Sequence, residues 1–176
     1  KHFNEKPDDL NRGRIYAQEL LKHERLQRAE QVLSKIVAKG GTGDDWLALG
    51  ISQLQQEKYD KAEGTLKGAA NLLKTNPYPH LHLAKLFKKK GETKLEREHT
   101  DKALEIDGDS VDAWAYLFQS IRDSQSEEAA VAELEKLGKE KKNARPFVAL
   151  QAVYASKEET RDKALEFGKK GLEING

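Results

Sequence analysis

One short stretch of this chain occurs twice, and its two copies share their offset with the chain's two tryptophans. The stretch "KALEIDG" at 102–108 returns as "KGLEING" at 170–176. Trp46 and Trp114 are separated by the same distance along the sequence. Half of that distance is 34 residues, a period typical of proteins built from repeated helix pairs. A chain with this period is predicted to fold as a series of similar repeats, each stacked on the next.

Alanines support the period and define the repeats. Ala62 and Ala130 lie two periods apart, and Ala164 follows Ala130 by one further period. Ala29 precedes Ala62 by one residue less than a full period, so the first repeat is predicted to be one residue shorter. After an N-terminal extension at 1–9, the array at 10–176 is expected to contain repeats at 10–42, 43–76, 77–110, 111–144 and 145–176.

The pattern inside a repeat predicts two amphipathic helices. In "WLALGISQLQQ" (46–56), apolar residues recur at the three- and four-residue spacing of one helix face. The stretch "DKAEGTLKGAANLLK" (60–74) resumes that spacing after a short turn. Pro77 and Pro79 follow it, and proline cannot continue a helix. No stretch alternates polar and apolar residues for long enough to suggest a sheet, so the expected fold class is all-α.

These residues resemble the tetratricopeptide repeat (TPR), with its pattern W-x2-L-G-x2-Y followed by A-x3-F. In the second repeat Trp46, Leu49, Gly50 and Ala62 occupy the corresponding positions. The same phase puts Val148 at the tryptophan position of the fifth repeat. The resemblance implies a right-handed superhelical solenoid of antiparallel helix pairs. Its tryptophans would pack in the core, and its glycine position would let two helices approach closely.

Composition excludes several classes of function. Charged residues make up 35% of the chain, but the net charge is only +1, which argues against a general nucleic-acid-binding protein. No apolar run approaches the roughly 20 residues of a membrane span. Cysteine is absent, so no disulfide or thiol chemistry is expected. We expect a soluble protein, with the cytoplasm favoured over other compartments, and a fragment or processed form because Lys1 replaces an initiator methionine.

No motif in the chain indicates catalysis. His80 and His82 are two residues apart and so lie on different sides of a helix, unlike the i, i+4 pair of a helical metal site. There is no glycine-rich phosphate loop and no nucleophile elbow. We therefore expect no enzymatic activity, no cofactor and no metal site.

The resemblance implies that the first helix of each pair lines a concave groove for a protein or peptide. The predicted groove residues are Leu47, Ile51, Leu54, Tyr78, Leu81, His82, Lys85, Lys88, Lys89, Tyr116, Gln119 and Arg122. Their mixture of cationic and apolar side chains favours a partner that carries acidic residues beside apolar ones. The alternative interpretation is that "KKK" at 88–90 is only a solvated helix end, where cations favour the helix dipole.

Three functions remain compatible with the sequence. The first is a non-catalytic scaffold for protein partners. The second is a substrate-positioning repeat domain of a larger enzyme or regulator, and the third is a secretion-type chaperone for one apolar client. The last repeat adds a further expectation, because no following helix covers Leu165, Leu172 and Ile174. This C-terminal edge is predicted to be covered by more chain, by a partner or by self-association.

Overall fold

A computed structural model describes residues 10–175, and within that range the chain forms ten α-helices and no β-strand. The predicted all-α fold class is confirmed. The predicted extension at 1–9 lies outside the described residues. The helices are α1 (Leu10–Lys22), α2 (Leu26–Ala38), α3 (Gly43–Gln55), α4 (Tyr59–Leu72), α5 (Tyr78–Lys90), α6 (Thr93–Ile106), α7 (Val111–Ser124), α8 (Glu127–Glu140), α9 (Arg145–Ala155) and α10 (Arg161–Asn175), with a 3-10 turn at Glu158–Thr160 before α10.

The helices form antiparallel pairs because short turns reverse the chain between them. Three residues join α1 to α2 and α3 to α4, and the two helices of each pair are in contact. The turn conformation itself repeats: Glu24, Glu57 and Gly91 have positive φ angles of 54°, 59° and 75°. Each of these turn residues follows the previous one by one period, to within a single residue. Over the first three repeats the backbone therefore follows the period seen in the sequence, whereas Gln125, one period after Gly91, has a φ angle of −132°.

The chain divides into two compact units, Lys1–His99 and Thr100–Gly176. In the N-terminal compact unit, one apolar cluster joins α1, α2 and α3 and a second joins α4 and α5. Each cluster therefore takes side chains from successive helix pairs, as a repeat requires when a single pair cannot cover its own apolar face. The members are Ala17, Leu20, Ala29, Val32, Leu33, Ile36 and Leu49 in the first cluster, and Ala62, Leu66, Leu83, Leu86 and Phe87 in the second.

Gly50 provides the close helix approach that the sequence predicts. A Cβ atom on this residue would lie 2.6 Å from Leu66 Cδ2 and 2.7 Å from Leu66 Cγ. Both distances are far shorter than carbon atoms tolerate. Only glycine lets α3 pack this tightly against α4, and this packing fixes the surface that α3 presents on its other side.

The two tryptophans are buried to different extents, although they share one repeat position. Trp114 is fully buried in the C-terminal compact unit, and its indole N–H donates to the Gly108 carbonyl at 2.8 Å. Trp46 is only half-buried and lies against Gly68 of α4, where a Cβ atom would be 2.7 Å from the indole ring. Trp114 is therefore a core residue. Trp46 instead packs against α4 of its own helix pair and stays partly exposed.

At the start of the fifth repeat, the fully buried residue is not the one that the predicted phase puts at the tryptophan position. Phe147, not Val148, is the fully buried residue at the start of α9, so the spacing from Trp114 is one residue short of a full period. The ring of Phe147 sits where α8 has Gly138, and a Cβ atom at that glycine would be 2.5 Å from the ring. The missing side chain at Gly138 thus leaves the space that the Phe147 ring occupies.

Candidate functional site

A stripe of polar and aromatic side chains runs along one side of α5. Tyr78, His82, Lys85 and Lys89 recur at the spacing of one helix face, with Lys88 beside them. Tyr78 and Lys89 are exposed, and the other three side chains are half-buried. All five belong to the N-terminal compact unit.

The ends of α5 fix the length of this stripe. Pro79 lies in the first turn, where its missing N–H costs no helical hydrogen bond. Gly91 ends the helix in the left-handed conformation at φ 75°, and its N–H donates to the Lys88 carbonyl at 3.1 Å. The last turn of α5 therefore carries three lysines at the negative end of the helix dipole, a favourable place for cations.

At neutral pH the positive charge of the stripe comes from its lysines and not from its histidine. Burial is the main cause that lowers the pKa of His82 to about 4, and the nearby charge of Lys85 lowers it further. His82 is consequently an uncharged imidazole, able to donate one hydrogen bond and to accept another.

The three lysines at 88–90 do not share one environment. Lys90 turns toward the neighbouring helix pair, with its Nζ 2.9 Å from Glu63 Oε2 and 3.4 Å from Glu92 Oε1. The hydrogen bond that it donates to Glu63 is the main cause that raises the pKa of Lys90. Lys90 therefore belongs to a contact between α4 and α5, and the interpretation of "KKK" as a uniformly solvated helix end does not describe it.

An apolar stripe lies on α3, which contacts α5 within the same compact unit. Leu47, Ile51 and Leu54 follow each other at i, i+4 and i+7 and are all half-buried. Leu47 and Leu54 pack on one side against the second apolar cluster. Each keeps part of its surface uncovered, so the three residues can offer apolar contact area while the core holds them in place.

The structure places Leu81 differently from the sequence prediction. Its side chain is only 3% exposed, so it packs inside the N-terminal compact unit and offers almost no surface to a partner. The helical spacing that put Leu81 beside Lys85 and Lys88 also puts it at the border of the buried face. Leu81 therefore belongs to neither stripe. We call the polar stripe of α5 and the apolar stripe of α3 together the candidate surface, which consists of Leu47, Ile51, Leu54, Tyr78, His82, Lys85, Lys88 and Lys89.

The remaining predicted groove residues lie on α7 in the C-terminal compact unit. Tyr116 is half-buried there, and Gln119 and Arg122 are exposed. The Arg122 guanidinium contacts the carboxylate of Asp123, with Nη2 and Oδ1 3.1 Å apart. Tyr116, Gln119 and Arg122 together form a separate stripe on α7, within the C-terminal compact unit.

An ion pair that the sequence analysis missed holds α3 to α1. Arg14 makes a two-pronged contact with Asp45, at 2.9 Å from Nε to Oδ1 and 2.8 Å from Nη2 to Oδ2. Asp45 also accepts hydrogen bonds from the backbone N–H and the hydroxyl of Thr42, at 2.8 and 3.0 Å. The Thr-x-x-Asp spacing of this helix cap is visible in the sequence. The contact with Arg14 has no local signal, because Arg14 lies in the preceding repeat.

A second missed contact involves His80, which lies one period after Trp46. His80 Nδ1 lies 2.9 Å from His99 Nδ1, and the His99 ring stacks on Phe87 with ring centres 5.3 Å apart. One ring must donate and the other accept in this hydrogen bond. The pair joins α5 to α6, so His80 takes part in packing within its helix pair.

Comparisons with known proteins identify the fold. No protein-family model and no curated protein matches the sequence. Among solved structures, the chain resembles YrrB, a TPR protein with an unusual peptide-binding site, with a TM-score of 0.60 and 20% identity over 99% of this chain and 90% of that one. It also resembles the Yersinia enterocolitica type III secretion translocator chaperone SycD, with a TM-score of 0.56 and 20% identity over 72% of this chain and 94% of that one.

A third similar structure is a chain of the APC/C hetero-tetramer Cut9–Hcn1, with a TM-score of 0.69 and 17% identity. That match covers 98% of this chain and 35% of the other. These likenesses show that the chain has the helix-pair fold of TPR proteins, as the sequence resemblance predicted. Across residues 10–175, no helix is both long and apolar enough to cross a membrane.

Proposed function

We propose that this chain is a non-catalytic interaction module that binds a protein or peptide on the candidate surface. The observation that carries the proposal is the stripe on α5, where three lysines, an uncharged histidine and an exposed tyrosine share one side of a helix. The TPR fold supports it, and the similar structures include a protein described as having a peptide-binding site.

The charges and apolar groups of the surface specify the chemistry of the partner. Lys85, Lys88 and Lys89 favour carboxylates, and their positive charge would speed the encounter with an acidic segment. The apolar stripe on α3 and the ring of Tyr78 favour aliphatic or aromatic side chains, whose burial supplies most of the affinity in such interfaces. The proposed partner is an extended or helical segment that alternates acidic with apolar residues. No cofactor or metal is needed for this binding.

We propose the stripe on α7 as a separate contact surface, within the C-terminal compact unit. Tyr116, Gln119 and Arg122 offer a ring, an amide and a guanidinium, a combination suited to polar contacts with a peptide. The Arg122 guanidinium lies 3.1 Å from Asp123 Oδ1, so part of its charge is balanced within the chain.

Selection from a displayed peptide library on the intact chain tests the proposal. We expect the selected peptides to carry Asp or Glu beside Leu, Ile or Phe. Lys85→Glu combined with Lys88→Glu should weaken their binding by about tenfold at low salt, or about 1.4 kcal/mol. The same change should flatten the salt dependence of binding.

A matched variant separates this surface from a general effect of charge. Lys61 and Lys74 are exposed lysines of the same compact unit outside the candidate surface. Lys61→Glu combined with Lys74→Glu makes the same change in net charge and should leave affinity nearly unaltered. Equal weakening by both double variants, or selected peptides without acidic residues, would contradict the proposed surface.

A further inference from the structure

The last helix pair carries an apolar surface that no other part of the described chain covers. Leu165 and Leu172 of α10 are 56% and 75% exposed, among the most exposed large apolar side chains of the described residues. Together with Val148 and Gln151 of α9 they line an open cleft of about 430 Å³. We call the surface formed by these four residues the α10 edge.

The other sides of α10 are already occupied within the C-terminal compact unit. Ala164 and Phe167 are buried, and the Phe167 ring stacks on Tyr154 of α9 with ring centres 5.4 Å apart. Lys170 reaches α8, where its Nζ lies 2.7 Å from Glu135 Oε1. The packing of α10 therefore leaves one side uncovered, and that side holds both exposed leucines. A partner of matching shape would gain from covering them, because removing apolar surface from water is favourable.

The spacing of the leucines lets a second copy cover both of them at once. Leu165 and Leu172 are seven residues apart, which is two helical turns and so the same side of α10. When a second α10 runs antiparallel with its midpoint opposite Gly168 and Lys169, Leu165 of one copy meets Leu172 of the other. The reverse contact follows from two-fold symmetry, the commonest symmetry of protein dimers.

The charges beside the leucines also suit a second copy. Lys169 and Glu166 are both exposed on α10, although the Glu166 carboxylate also lies 2.7 Å from Lys170 Nζ of its own helix. In the antiparallel arrangement, Lys169 of one copy and Glu166 of the other are two residues apart along the axis, about 3 Å. Each copy thus offers both signs of charge at the place where the other can use them. The net charge of +1 leaves little long-range repulsion between copies.

We propose that two copies of this chain associate through the α10 edge, with their α10 helices antiparallel and Leu165 of each opposite Leu172 of the other. The proposal is independent of the partner-binding function, because it concerns the α10 edge and none of the residues assigned to partner binding.

Light scattering across a concentration series is the first test. We expect the mass to rise from 19.8 kDa toward twice that value as concentration increases. Leu165→Lys combined with Leu172→Lys should keep the chain monomeric, because four cations would then meet in the contact. Leu72→Lys is the control, since Leu72 is also 56% exposed but lies on α4, and it should dimerise like the unchanged chain.

Disulfide trapping tests the register of the two α10 helices. Because the chain contains no cysteine, only the introduced cysteines can form disulfides. A mixture of Leu165→Cys and Leu172→Cys chains should form mixed disulfides under mild oxidation. Each variant alone should form far fewer, because identical positions would lie seven residues apart, about 10 Å, beyond disulfide reach. A chain that stays monomeric at every concentration overturns the proposal, and so does dimerisation that survives the double lysine variant. Same-position disulfides that form as readily as mixed ones overturn the antiparallel register.

Discussion

At the scale of single residues, Asp45 shows how a buried charge is held in this fold. The residue is only 5% exposed, and burial alone would raise the pKa of its carboxyl group. Hydrogen bonds from Arg14 and Thr42 outweigh burial and hold the pKa below its usual value of 3.8. A carboxyl group whose pKa is lowered by folding stabilises the native state above its unfolded-state pKa. That stabilisation is lost as the pH falls through the native pKa.

We expect Asp45→Asn to lower the free energy of unfolding at pH 7 by about 1–3 kcal/mol, the range for losing hydrogen bonds to a charged group. The difference from the unchanged chain should begin to shrink as the pH falls below about 4, the pKa of an unfolded-state carboxyl group. It should vanish only below the lowered native pKa, where Asp45 of the folded chain is itself protonated. Urea unfolding at a series of pH values measures it. Asp44→Asn is the control, because Asp44 is exposed in the same helical turn and should change stability by less than about 0.5 kcal/mol. A constant difference from pH 7 to pH 3 would contradict the assigned role of the ion pair.

At the scale of helices, two glycines on neighbouring helices should respond to alanine in opposite directions. Gly50 has no room for a Cβ atom because Leu66 lies in the way, whereas a Cβ atom on Gly64 would have no atom within 4 Å. Gly50→Ala should therefore cost about 1–3 kcal/mol through overpacking. Gly64→Ala should stabilise the chain by about 0.5–1 kcal/mol, because alanine is the better helix former. Denaturant unfolding of the two variants checks both signs, and the same sign for both would contradict the close α3–α4 contact.

The sequence predicted the helices well and their contacts less well, for a physical reason. Spacing of apolar residues and proline positions are local, so the all-α fold and the close approach at Gly50 could be predicted. The burial of Phe147 in place of Val148 could not be, because it depends on how a ring fits over Gly138 in another helix. The different burial of Trp46, which is half-buried, and Trp114, which is fully buried, likewise depends on packing against residues that are distant in the sequence.

The candidate surface was predicted to a similar extent. The family resemblance predicted that the lysines of α5 belong to one surface, and those residues do share one side of the helix. It could not show that Leu81 is buried or that His82 is held uncharged. Both results depend on neighbouring helices, which a single sequence does not reveal.

At the scale of the whole molecule, stability in a repeat protein is approximately a sum of local terms. Trp46 and Trp114 fall in different compact units, so each reports on one of them. Incorporating 5-fluorotryptophan would give one fluorine NMR signal from each unit during urea unfolding, with no change of sequence. The chain thus carries a built-in probe of how far a local change spreads.

We expect Phe147→Ala to lower stability by about 3–5 kcal/mol, because it empties a fully buried aromatic site. Phe147 lies in the same compact unit as Trp114, so the unfolding midpoint reported by Trp114 should fall further than the midpoint reported by Trp46. Val148→Ala, one residue along and half-buried, should shift either midpoint much less. Equal shifts at both signals would mean that the chain unfolds as one cooperative body. A larger effect at Val148 would restore the strict period for the fifth repeat and remove Phe147 from the core.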